Sequence, residues 1–202
     1  MNYYVKYLPA GSVITTNEQW CIVFGARDNS LPNETWDTEP AYITTDLDNP
    51  LYDEEESIFN CAPTMAATSN KRIFAQWHIG GTHEPVQENC GRYKYSDDLG
   101  KTWKDAFVLD TWVNQKIGGT KNTVLCDFSM GINDLNELMI FYTLRENING
   151  NQTANLSTWQ LKLTNPDANP NEWQFSESKL ICPNMLLKNT FRVLQDGTYI
   201  LA

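Results

Sequence analysis

Apolar residues fall in short runs along this chain, bounded by Gly, Asn, Asp and Pro, and helical spacing is hard to find. That pattern predicts strands. Four runs share one shape, a polar turn followed by a strand: Asn17-Glu-Gln-Trp-Cys-Ile-Val-Phe24, Asn70-Lys-Arg-Ile-Phe-Ala-Gln-Trp77, Asn136-Glu-Leu-Met-Ile-Phe-Tyr-Thr143 and Asp196-Gly-Thr-Tyr-Ile-Leu-Ala202. Around the second run the strands are expected at 62–68, 72–79, 92–95 and 106–109. A loop at 80–89 joins the second to the third, and a turn at 96–103 joins the third to the fourth.

The starts of the four runs lie about 53, 66 and 60 residues apart, a period that suits β-propeller blades carrying insertions. A four-stranded antiparallel blade cannot bury both faces alone, so such units stack around an axis. The fold class expected is therefore all-β, a β-propeller. Residues 1–202 form the N-terminal part of one domain, with blade-like repeats beginning near 17, 70, 136 and 196. The fourth run reaches the last residue, which predicts about three to four blades and an incomplete ring. The favoured explanation is that the remaining blades belong to a longer chain; a partner completing the ring is the other.

Composition narrows the function classes. Hydrophobic residues make up 41% and charged residues 20% of the 202, the balance of a globular chain. Fifteen Lys and Arg stand against 25 Asp and Glu, a net charge of -10, which argues against a nucleic-acid track. An anionic small ligand stays open, because a few arginines can invert the field of one cleft. No apolar run approaches the roughly 20 residues that span a bilayer. The start, residues 1–12, has no long apolar core, so no signal peptide is visible and localisation stays open. The five cysteines (Cys21, Cys61, Cys90, Cys126, Cys182) are far apart, there is no C-x-x-C pair, and there are two histidines. No zinc site, other metal or cofactor is expected on that spacing, and the thiols read as reduced and buried.

One segment is specific. Ser96-Asp-Asp-Leu-Gly-Lys-Thr-Trp103 fits S-x-D-x-G-x-T-W at every fixed position. Gly100 permits a positive φ, while Ser96, Asp98 and Thr102 can bond the backbone of a tight turn and Trp103 folds back over the hairpin. This segment resembles the Asp-box, or bacterial neuraminidase repeat, of the sialidase superfamily, and is a structural device rather than a catalytic one. Its surroundings, Ala62-Pro-Thr-Met65, Arg72 to Glu84 and Asn89, are similar to one blade of sialidase-like glycan-degrading enzymes. Trp159, Asn165-Pro-Asp-Ala168, Trp173 and Asn189 to Gly197 resemble the part that follows. The similarity spans roughly 58–202 and is weakest between 110 and 130. It is closest to exo-sialidase-like enzymes, rhamnosidases and rhamnose–glucuronate lyases. It implies an extracellular or periplasmic enzyme acting on a glycan with an acidic sugar. The expected reaction is hydrolysis of a terminal sugar; the alternatives are β-elimination beside a uronate and a non-catalytic glycan-binding propeller. The Arg-Ile-Pro type signature of true sialidases has no counterpart here, and their tyrosine nucleophile normally lies beyond this C-terminus.

Strand parity places the loop after Trp77 on the edge opposite the Asp-box, which in the resembled superfamily is the active-site face. That loop carries His83 and Glu84, the loop after Phe24 carries Arg27 and Asp28, and the stretch after Tyr142 carries Arg145 and Glu146. His83 and Glu84 are the candidate proton-transfer groups. Arg27 and Arg145 could fork onto a sugar carboxylate. Asn89 could bond sugar hydroxyls and Trp77 could stack on a pyranose ring. Each has a plainer reading: Trp77 fills space between blades, His83 is a polar loop residue, and Arg145 pairs with a surface neighbour. Arg92 and Lys94 face a neighbouring blade or solvent. Asp53 to Glu56 reads as a solvated acidic loop rather than a calcium site.

Overall fold

The structure is a computed structural model, and it describes residues 4–8, 20–24, 40–48, 52–53, 57–86, 88–111, 123–146, 156–183, 186, 192–193 and 199–200. Its regular elements are strands: β1 (Tyr4–Leu8), β2 (Trp20–Phe24), β3 (Tyr42–Thr44), β4 (Asn60–Ala67), β5 (Ile73–Ile79), β6 (Cys90–Ser96), β7 (Lys104–Asp110), β8 (Thr123–Ile132), β9 (Leu138–Glu146), β10 (Leu156–Leu163), β11 (Lys179–Pro183), β12 (Arg192–Val193) and β13 (Tyr199–Ile200). A 3-10 turn spans Pro170–Glu172. The all-β expectation holds, and no helix among the described residues is long and apolar enough to cross a membrane.

Two antiparallel meanders dominate. The first runs β4-β5-β6-β7, with β3 added outside β7; the second runs β8-β9-β10-β11. The strands expected around the second run all form, within a few residues of their expected ends. The turn equivalences differ by one position from the sequence alignment. Lys71 (φ 71°) and Asn136 (φ 60°) close matching hairpins, with Lys71 N–H bonded to Thr68 O and Asn136 N–H to Asn133 O. Trp77 therefore corresponds to Tyr142. The first run forms β2, but β2 pairs in parallel with β1 rather than in an antiparallel meander. The fourth run contributes β13, paired antiparallel with β12.

Alternation on each strand explains the layering. On β5, Phe74, Gln76 and His78 point toward the second meander, while Trp77 and Ile79 point away. On β6, Tyr93 and Tyr95 point inward. Arg92 is buried on the outer face and donates to Asp105 at 2.7 Å. The main core lies between the meanders. Tyr93 stacks on Phe107 at 4.4 Å, and Phe128, Ile140 and Tyr142 come from the second sheet. After the 3-10 turn, Trp173 lies edge-on to Tyr95 and Phe107, with Phe74 also against it. Such aromatic contacts add about 0.5–1.5 kcal/mol each beyond area burial. A smaller cluster of Tyr52, Ile79, Cys90 and Val108 covers the outer face, and half-buried Trp77 packs there.

At the first strand of each meander the ladder slips. The irregularity falls between Cys61 and Thr64 on β4 and between Cys126 and Phe128 on β8. Ala62 and Asp127 occupy the same bulge position, at φ 50° and 44°. A bulge re-aims the side chains beside it. Here it does so on β4 and β8, the two strands that carry most of the contact between the meanders.

Candidate functional site

The turn at 96–103, expected to be an Asp-box, closes through its own side chains. Ser96 Oγ accepts from Gly100 N–H at 2.8 Å, and Asp98 Oδ1 accepts from Thr102 N–H at 2.8 Å. Ser96 Oγ donates to Asp98 Oδ1 and Thr102 Oγ1 to Asp98 Oδ2. These bonds, Thr102's hydroxyl and amide foremost, hold the Asp98 carboxyl down at about 2. Gly100 sits at φ 84° with the ring of Trp103 lying over it. On this same edge the two meanders are latched. Asp167, in the turn after β10, accepts from Thr68 Oγ1 at 2.6 Å, Asn70 Nδ2 at 2.9 Å and Asn136 Nδ2 at 2.7 Å. Arg72 donates to Asp97 at 2.7 Å and to the carbonyls of Pro166 and Ala168.

The loop between β5 and β6 lies on the opposite edge. Gly80, at φ 99°, begins it, and a Cβ there would collide with the Glu88 carbonyl. Asn89 is fully buried and clasps the loop: its Nδ2 donates to Gly80 O and His83 O, and its Oδ1 accepts from Val86 N–H. Its amide is thus engaged by the loop itself. His83 is exposed, with Nδ1 3.0 Å from Thr82 Oγ1. Glu84, the next residue, precedes a cis peptide to Pro85 and turns toward the sheets.

Glu84 meets a group that sequence reading did not assemble. Its Oε1 lies 3.9 Å from His78 Nδ1, and its Oε2 accepts from Cys61 Sγ at 3.9 Å. Cys61 Sγ is itself 4.0 Å from His78 Nδ1. The His78 ring is held between the edges of Phe59 and Phe128. Its side chain is 1% exposed against 27% for Glu84, and Cys61 is also partly exposed, so His78 is the buried member of the three. Burial pushes His78 down to about 4, and Arg145 acts in the same direction, against Asp127 and the Leu125 backbone. The ring is therefore neutral at pH 7, and its contact with Glu84 is not an ion pair.

The second meander supplies the other half. The oxygens of Glu84 and Asp127 and the Cys126 sulfur lie within 4.8 Å of one another. Arg145, expected in a loop, lies instead on β9, which runs on to Glu146; its Nη2 sits 3.3 Å from Asp127 Oδ2. Burial opposes the Arg145 charge, but Cys126 and Asp127 outweigh it and hold the guanidinium above its ordinary value. Burial pushes the Cys126 thiol well up.

Of the sequence candidates, Glu84 and Arg145 thus come together at the junction of the meanders. His83, Asn89 and Trp77 do not join them: Trp77 packs on the outer face, where Lys94 Nζ stands 6.0 Å from its ring. Arg27 and the acidic residues 54–56 lie outside the described residues. Cys61, His78, Cys126 and Asp127 were missed. A signal for them exists in the sequence: Cys61-Ala-Pro-Thr-Met65 and Cys126-Asp-Phe-Ser-Met130 share a C-x-x-x-M spacing on equivalent strands. No protein-family model matches the chain, and no curated protein matches it.

Proposed function

We propose that this chain belongs to a sialidase-like β-propeller whose loop edge, opposite the Asp-box, processes a glycan bearing an acidic sugar. Two features support the architecture: successive antiparallel meanders, and contact between their first strands β4 and β8, as neighbouring blades make around an axis. The observation that carries the function is the pairing of Glu84 with Asp127, two carboxylates within 4.8 Å, beside the guanidinium of Arg145. Glycoside hydrolysis uses two carboxylates in unlike surroundings. Asp127 stands 3.3 Å from the Arg145 guanidinium, whereas Glu84 faces a thiol and an imidazole and is 27% exposed. Glu84 takes the role of proton donor, and Asp127 that of the second carboxylate. Arg145 holds the substrate's carboxylate through an N–H that Asp127 does not use.

The test is an assay of the chain on sialosides and on rhamnosyl-glucuronate oligosaccharides. Released sugar and the near-ultraviolet absorbance of an unsaturated uronate are both followed. Hydrolysis is expected, with Glu84→Gln lowering kcat by about 10²-fold or more, and Arg145→Lys raising KM. An unsaturated product transfers the reading to a lyase. Saturable binding without product transfers it to a binding module, and neither binding nor product refutes it.

A further inference from the structure

We propose that Cys61, His78 and Glu84 form a zinc site with one open coordination position. The three donors come from different places: Cys61 from the bulge of β4, His78 from the buried face of β5, and Glu84 from the loop that Asn89 clasps. Cys61 Sγ and His78 Nδ1 are 4.0 Å apart, Glu84 approaches Nδ1 with Oε1 and Sγ with Oε2 at 3.9 Å each, and one ligand atom from each residue lies within 4.8 Å of the other two. In a tetrahedral zinc site with bonds of about 2.0–2.3 Å, ligand atoms stand roughly 3.4–3.7 Å apart. A closing movement of up to about 1 Å therefore completes three corners, and partly exposed Glu84 can supply it by turning one carboxylate oxygen between the thiol and the imidazole. A thiolate, an imidazole and a carboxylate are a borderline-soft set that suits zinc over magnesium or calcium.

Charge balance points the same way. One thiolate and one carboxylate neutralise a divalent ion, so the half-buried group carries no net charge when loaded. Beside it, Arg145 and Asp127 form their own pair. Cys61 and Glu84 are both partly exposed, which gives the ion a path in from the loop edge. Three protein ligands leave a fourth position for water, the arrangement of open rather than closed zinc sites. Ligation would also occupy Glu84. Resting on the glycan reading, zinc should suppress turnover and a chelator should restore it; binding itself stands apart from that reading.

The experiment uses the whole chain, stripped with a chelator and titrated with zinc against a chromogenic competitor. Cobalt loading then reads the geometry. One ion per chain is expected, with tetrahedral cobalt bands and a single thiolate-to-cobalt charge-transfer band. Cys61→Ser should remove that band and weaken zinc binding about 100-fold or more, and Glu84→Gln about 10–100-fold. Cys126→Ser should retain both. Circular dichroism confirms that each variant keeps its strands. Failure to bind zinc, or wild-type affinity in folded Cys61→Ser, overturns the assignment. So does loss of the charge-transfer band in Cys126→Ser alone, which would move the site to the neighbouring cysteine. If zinc binds as described but the zinc-free chain neither binds nor turns over glycan, the site stands and the glycan reading falls.

Discussion

At the Asp-box edge the side chains of Ser96, Asp98, Asn133 and Asp167 end on neighbouring backbone or on the facing turn. At the opposite edge of the same sheets Cys61, His78, Glu84, Asp127 and Arg145 end on one another. Polar groups spent on backbone fix a turn and are closed to further partners. Titratable groups gathered on one another, with a loop above them, keep capacity for a ligand. The difference separates an edge whose polar groups are committed to the fold from an edge whose titratable groups face one another, the pattern that motivates the proposed site.

Asn89 is the exception on the loop edge, and it offers the strongest way to break the contrast. Asn89→Ala strips partners from two carbonyls and one N–H in a buried place. Urea unfolding should show a loss of about 2–3 kcal/mol. Zinc affinity should fall as well, because the loop that presents Glu84 loosens. A variant with weakened stability and unchanged zinc binding would separate the loop from the site.

Asp167→Ala should act on stability alone. It removes three acceptor contacts, two of them between the meanders, at about 1–2 kcal/mol given their partial exposure, and should leave zinc binding within a factor of about three. An equal loss of zinc binding would show that the two edges are not independent. Gly100→Ala should cost about 1 kcal/mol, since a Cβ is strained at φ 84°, with the thermal midpoint as readout.

Acid should act on the edges in separate windows. His78 has its folded value depressed from 6.5 to about 4, so the unfolded chain takes up a proton first. In zinc-free protein its contribution is present above 6.5 and lost as pH falls toward 4. Asp98 is depressed from 3.8 to about 2, so its contribution holds above 3.8 and is lost as pH falls through 2. Urea midpoints measured against pH should show the upper loss reduced in His78→Gln and only the lower one reduced in Asp98→Asn.

Legibility in the sequence followed the range of the interactions. The turn at 96–103 spans eight consecutive residues, so its bonds could be anticipated from residue type alone. The strands from 60 to 110 were legible because alternation and turn residues are local. The parallel pairing of β1 with β2 was not, because nothing in either run states which neighbour it will choose. Arg145 was expected in a loop after Tyr142, yet β9 continues through it, and its partner Asp127 lies at the bulge of the adjacent strand β8.

The sequence alone determined that the chain is all-β, that its turns fall at Gly, Asn and Asp, and that residues 96–103 close a hairpin through their own side chains. Only the tertiary structure decided which titratable groups meet. Cys61 lies 17 residues from His78 and 23 from Glu84, and two bulges together with a clasped loop bring them and the Asp127–Arg145 pair to one junction. Local propensity is encoded by neighbours in the chain, whereas a side-chain cluster depends on strand register, on the hand of a bulge and on which sheet packs behind it.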